Sequence, residues 1–318
     1  MATPAQKTLG LATRDAYGQT LVELGRANPK IVVLDADLSS STRTGLFAKE
    51  FPDRFINVGI SEANMVGIAG GLASAGLIPF ISSFACFLVC KGYDQLRMAV
   101  AYPHLNVKVV TSHGGISVGE DGASQQSIED IALMGSLPGF IVMVPSDEHC
   151  ARALVKAAAA HVGPVYIRTG RPKAPIVHTA QTRFDIGKGV VLRQGKDVTL
   201  AANGVLVCGA LAAAEELATQ GIEAAVVDLH TVKPIDRALL EEQAARTGAF
   251  VVAEEHSVIG GLGAAVAQTL AATRPVPVEQ VGIQDTYAES GKPDDLMVKY
   301  GLTAAKIVQA AQRVLKRK

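Results

Sequence analysis

The chain has 318 residues, 48% of them hydrophobic and 19% charged, and its 30 Lys and Arg balance its 30 Asp and Glu. That length suits about two domains of roughly 100–200 residues each, with sizeable buried cores. The balanced charge argues against a nucleic-acid footprint or an anionic membrane surface as partner.

In chain order, short apolar runs alternate with helix-like segments. The runs are "IVVLDAD" (31–37), "RFINVGI" (54–60), "GLIPFISS" (76–83), "VKVVTS" (107–112), "FIVMVPS" (140–146) and "PVYIRT" (164–169). Helical patterns fall at 61–75, 84–101, 124–136 and 147–160. Continuous rather than alternating apolar runs mark strands covered on both faces, as in a parallel sheet wrapped by helices. Residues 170–190 hold two prolines, three glycines and no clear period, which reads as a linker. A second α/β pattern follows, with runs at 197–204, 223–230, 250–256 and 276–283 and helices at 205–220, 235–247, 262–273 and 302–317. The expected fold is therefore two doubly wound α/β domains, 1–180 and 181–318.

Cys86, Cys90, Cys150 and Cys208 form no CxxC pair and no disulfide framework, so they are expected as reduced thiols. The first 18 residues contain no apolar core of a signal peptide, roughly 7–15 residues long, and no run reaches the roughly 18 needed to span a membrane. A cytoplasmic, membrane-free protein is the expectation.

Ligands of parallel sheets sit at the carboxyl ends of strands. Five segments fall there. Glu62 opens an almost charge-free helix after Ile60. An acid in the first turn usually serves the helix N-terminus, and that is the plain reading of the residue taken alone. Asp37 leads into "DLSSSTRTG", a hydroxyl-rich turn with Ser41 and Arg43. Phe84 and Phe87, three apart, would share a helical face and clamp a flat ring, or else pack in the core. "SHGGISVGEDGASQQ" (112–126) crowds His113, Glu120, Asp121 and Gln125 into a Gly-rich loop, with a helix expected from Ser124. Such a loop is a natural phosphate cradle, although it is neither a Walker A nor a GxGxxG sequence. Arg168 closes the strand "PVYIR" with Arg171 behind it.

These residues carry a resemblance. "TRDAYGQTLVELG", "DADLSSSTRTG", "GISEANM", "SSFACF", "HGGISVGEDG" and "PVYIRTGRP", followed by "VVDLHTVKPID" and "EEHSVIGGLG", resemble the transketolase family of thiamine diphosphate enzymes. The match is to the C-terminal half, of the kind encoded as a separate subunit. It implies a pyrimidine-binding domain followed by a transketolase C-terminal-type domain. It also implies transfer of a two-carbon ketol unit from a ketose phosphate to an aldose phosphate.

The resemblance places Glu62 at N1′ of the cofactor's aminopyrimidine, where a proton donor primes the cofactor for loss of its C2 proton. Burial should favour the neutral carboxyl, against the pull of the helix N-terminus. Phe84 and Phe87 match the ring-packing residues, and Asp37 an acid near the cofactor. His113, Ser41 and Arg168 match contacts to the substrate phosphate, and Asp121 the reader of the substrate's C2 hydroxyl. Gln125 stands where the family often has histidine, and Cys90 where it often has a third aromatic.

Mg²⁺ in these enzymes is held by a GDG motif with a later Asn. The chain's one GEDG is 119–122, and no Asn lies between Asn106 and Asn203. No metal ligand is therefore expected here. The diphosphate and Mg²⁺ half-site is expected on an N-terminal-half partner, in an assembly of two copies of each chain. Other classes remain: the β subunit of a 2-oxo acid dehydrogenase, a relative of deoxyxylulose-phosphate synthase, or a non-catalytic regulatory partner.

Overall fold

A computed structural model describes residues 8–318. In the first half the strands are β1 (Leu9–Ala12), β2 (Ile31–Asp35), β3 (Phe55–Asn57), β4 (Ile78–Ser82), β5 (Lys108–Thr111), β6 (Ile141–Met143), β7 (Val165–Arg168) and β8 (Lys173–Pro175). The second half adds β9 (Val190–Arg193), β10 (Val198–Ala202), β11 (Ala224–Asp228), β12 (Thr231–Lys233), β13 (Phe250–Ser257) and β14 (Val278–Ile283).

The large sheet has the order β12-β6-β7-β5-β4-β2-β3, and a second sheet the order β14-β13-β10-β11-β9. Pairing is parallel throughout both, except at β12 and β9. Every residue of β2, β5, β7, β10 and β11 is buried, as continuous apolar runs between helical layers require. Two doubly wound α/β domains result. Local signals set the helix starts: Asp147 accepts from Cys150 N–H at 2.9 Å, and Asp236 from Leu239 N–H at 3.2 Å.

Four local expectations change. The run 54–60 is a strand only over Phe55–Asn57, because it forms the sheet edge and pairs with β2 alone. The segment 84–101 is broken at Gly92 into Ala85–Lys91, Tyr93–Gln95 and a π-helical Leu96–Ala101. A β-carbon at Gly92 would stand 3.2 Å from Val66 Cγ2, so the break lets this segment lie close on the Glu62 helix (Glu62–Ser74). The helix expected from Ser124 begins at Asp130 (Asp130–Ser136). Residues before it are committed elsewhere: Ser127 bridges Gly114 and Gly115, and Gln126 Nε2 donates to the Glu289 carbonyl at 3.0 Å. Within 170–190, β8 pairs with β1, and Asp147 accepts from the N–H groups of Val177 and His178 at 2.9 and 2.8 Å.

The halves are joined through buried contacts. β12 adds antiparallel to β6, at the edge of the first sheet. Beside it Asp228 Oδ2 accepts from Ser146 Oγ at 2.6 Å and meets His178 Nε2 at 2.8 Å. One apolar cluster runs from Leu34, Ile81 and Val109 through Val144 and Val227 to Phe250 and Leu262. No helix of the described residues is long and apolar enough to cross a membrane.

Candidate active site

The carboxyl ends of β2, β3, β4 and β5 lie side by side, and the residues that follow them line one edge. After β3 the chain turns at Ser61 and enters the Glu62 helix, whose buried face is Met65, Val66, Ala69 and Gly70. Small and apolar residues draw the helix start inward, and Glu62 is 4% exposed. One oxygen, Oε1, accepts from Ser83 Oγ at a long 3.4 Å. The other, Oε2, faces Lys91 Nζ at 3.8 Å.

After β4, Phe84 caps the helix Ala85–Lys91. The Phe84 and Phe87 rings are 5.5 Å apart and 19° from parallel. The other neighbour of Phe84 is His113, 3.7 Å away and 20° from parallel. His113 follows β5 with a φ of 59°, a left-handed conformation uncommon for a non-glycine residue and concentrated at functional sites. Its Nδ1 is 2.9 Å from Ser112 Oγ. Burial, reinforced by Arg14 and Arg171, lowers its pKa to about 3, so the ring is neutral.

Those arginines form a cationic corner. Arg14 Nη1 donates to the Ser41 carbonyl at 3.0 Å, and its buried Nε has no hydrogen-bond partner among the described residues. Burial, then Arg43 and Arg171, push the Arg14 pKa down. Arg43 is held by Asp15 at 2.5 Å and Arg171 by Glu120 at 3.0 Å. Three guanidiniums against two carboxylates leave net positive charge, which a bound anion would neutralise.

The remaining candidates stand as follows. Asp37, two residues past the end of β2, is exposed with φ 63° and accepts from Asn57 Nδ2 at 3.0 Å. The acid buried at the end of β2 is Asp35, which organises the turn by accepting from Leu38 N–H, Thr42 and Thr44 at 2.6, 2.6 and 2.8 Å. Ser41 joins the cationic corner through its carbonyl. Asp121 is exposed in the tight turn closed by Gly119 and Gly122. Gln125 Oε1 accepts from Ser124 Oγ at 2.5 Å, and its carbonyl accepts from Cys86 Sγ at 3.3 Å. That contact sets the His113 loop against the helix carrying Phe87.

Arg168 is buried between the two domains. It is 4% exposed, with Nε 3.3 Å from Asp130 Oδ2. Its Nη2 donates to the carbonyls of Ser127 and Glu255 at 3.0 and 2.8 Å. Glu255 belongs to β13, so the guanidinium ties the two domains together.

Contacts thus bring Glu62, Phe84, Phe87 and His113 into one wall, with Ser41 at the cationic corner beside His113. Among the described residues, no hydrogen bond or ion pair draws Asp37 or Asp121 to that wall. Sequence reasoning passed over Arg14, although its place in the first turn after β1 was a usable signal. It also passed over Lys91, four residues after Phe87 and so on the same helical face.

The residues fit the ring half of the cofactor that the resemblance implies. A buried carboxyl group with a single long hydroxyl contact leaves an oxygen free to share a proton with a ring nitrogen, and the aromatic pair supplies a flat apolar wall. Among the described residues, no group of three or more His, Cys, Asp or Glu is placed to hold a metal ion.

Two doubly wound domains, the first with a buried acid and an aromatic wall at its carboxyl edge, define an α/β fold of the thiamine diphosphate type. The chain belongs to the transketolase family: residues 10–176 match the transketolase pyrimidine binding domain, and residues 187–307 the transketolase C-terminal domain. It is 45% identical over 308 residues to a putative transketolase C-terminal section of Methanocaldococcus jannaschii, covering 96% of each chain. It is 46% identical over 305 residues to a 6-deoxy-6-sulfo-D-fructose transketolase subunit of a Clostridium species, covering 96% of this chain and 95% of that one. A solved structure described as a split gene transketolase, inactive beta4 tetramer, superposes with a TM-score of 0.89 at 52% identity. That match covers 96% of this chain and 99% of the other.

Proposed function

We propose that this chain is the pyrimidine-binding subunit of a two-chain, thiamine diphosphate-dependent transketolase of the cytoplasm. The observation that carries the reading is the buried Glu62 carboxylate beside the Phe84, Phe87 and His113 stack. When bound, the cofactor supplies the nucleophilic carbon and the electron sink for ketol transfer. Glu62 holds N1′ of its ring by a hydrogen bond, and Phe84 and Phe87 wall the ring against water. His113, neutral across the physiological range, hydrogen-bonds substrate without adding charge. Arg14, with Ser41, binds the tetrahedral anion of the sugar. Asp121 reads the hydroxyl at C2, Gln125 stands by the reacting end, and Asp37 lies near the cofactor.

An N-terminal-half chain contributes the diphosphate and Mg²⁺ site, in an assembly of two copies of each subunit. The relative described as an inactive tetramer of one subunit type supports that need. The relative named for a sulfosugar bears on the substrate. A phosphate and a sulfonate are both tetrahedral anions that guanidiniums bind through paired N–H donors. The cationic corner therefore suits either, and a plain 2-oxo acid leaves it unmatched.

The test is to purify the chain with its partner and assay ketol transfer, with and without thiamine diphosphate and Mg²⁺. Ketose phosphates, a 6-sulfo ketose and 2-oxo acids form the panel. Turnover of anionic sugars only by the complex supports the reading. Full turnover by this chain alone, or turnover of 2-oxo acids only, refutes it.

A further inference from the structure

Between the Glu62 helix and the helix Ala85–Lys91 stands the ammonium of Lys91. Lys91 Nζ stands 3.8 Å from Glu62 Oε2 and 4.4 Å from the centre of the Phe87 ring. Both contacts use the groups that would grip a pyrimidine. A ring nitrogen bonded to Glu62 needs to lie about 2.7–3.0 Å from that carboxylate. A ring packed on Phe87 needs atoms about 3.5–4.0 Å from its face. The ammonium thus engages the same carboxylate and the same aromatic ring that a bound pyrimidine would use, so the two compete for those contacts.

We infer that Lys91 is the resting occupant of the pyrimidine position, a built-in cation that the cofactor ring displaces on binding. This rests on the reading of Glu62 given above. Displacement is open to the side chain, which is 54% exposed. Lys91 is also the last residue of its helix, before Gly92. A released ammonium stays near the helix's terminal carbonyls, where positive charge is favoured. The contact balances the charge of a nearly buried carboxylate while the ring is absent, and it lowers cofactor affinity by the strength of the contacts to be broken. A long ion pair to an exposed lysine and a single cation–π contact are each weak, so the expected effect on affinity is about three- to tenfold.

The test is calorimetric titration of thiamine diphosphate, with Mg²⁺, into the chain assembled with its partner. Lys91→Met keeps the stem and removes the charge, and should tighten binding about three- to tenfold. Lys91→Arg keeps the charge and its hold on Phe87, and should bind no tighter than the unmodified chain. Unchanged or weaker binding by Lys91→Met overturns the inference. So does a Lys91→Arg complex as tight as Lys91→Met, because loss of the positive charge would then not explain the gain. Exchange of the cofactor's C2 proton, followed by NMR in the same complexes and in Glu62→Gln, separates the two failures. Loss of exchange in Glu62→Gln upholds the reading of Glu62 whatever Lys91 does. Retained exchange removes that reading and this inference together.

Discussion

Arg168→Met tests whether the guanidinium holds the domains together or binds substrate. In the folded chain Asp130 is fully buried and faces Arg168 at 3.3 Å, with Tyr166 OH on the same oxygen at 2.5 Å. The other oxygen, Oδ1, has no partner. Burial works against the Arg168 charge, but Asp130 and Glu255 outweigh it and hold its pKa above the ordinary value. Methionine keeps the apolar stem and carries no guanidinium and no charge. It leaves the Asp130 carboxylate buried without a cation, and the Ser127 and Glu255 carbonyls without their charged donor. Removing one partner of a buried pair costs about 3–5 kcal/mol, and two lost bonds from a charged donor are consistent with the upper end. The assay is equilibrium urea unfolding read by two probes, since two domains need not unfold together. Asp130→Asn in the same background should recover part of the loss by removing the stranded charge. A loss below about 1 kcal/mol refutes the argument. Unchanged stability with a raised KM for sugar phosphates would return Arg168 to the substrate.

Glu62→Gln keeps side-chain shape and should lower turnover of the assembled enzyme by about 10²–10⁴-fold with little change in stability; near-normal turnover excludes Glu62 from cofactor activation. His113 is depressed from 6.5 to about 3 by burial, Arg14 and Arg171, so between those values the unfolded chain binds more protons than the folded one. Its stabilisation is complete above about pH 6.5 and falls by about 1.4 kcal/mol per unit down to about pH 3. His113→Asn should flatten that acid slope in unfolding free energy measured against pH, and an unchanged slope contradicts the assignment. Phe84 is 7% exposed and lies against His113, so Phe84→Ala should cost about 3–5 kcal/mol in urea unfolding and weaken cofactor binding. A loss under about 1 kcal/mol would show that the ring is not packed as described.

Much of this protein is written locally. Apolar runs such as Ile31–Asp35 and Ala224–Asp228 announce buried parallel strands because both faces must be covered. Helix caps at Asp147 and Asp236 follow from side chains a few residues from the N–H groups they accept from. Phe84 with Phe87, and Glu62 at its helix mouth, are likewise short-range patterns, and the family motifs confirm their order along the chain. The tertiary structure decided what depends on distant partners. β8 forms because β1 lies beside it, and β12 because β6 has a free edge. Residues 124–129 resist helix because Ser127 and Gln126 bond to groups far along the chain. In the sequence Arg168 is an arginine at a strand end that the resemblance assigns to the substrate phosphate. Only the approach of β13 to the end of β7 set Glu255 beside it, in a burial where a guanidinium must spend its donors on protein. The ammonium of Lys91 over Glu62 has the same origin, since two helices must cross before an exposed lysine meets a buried acid.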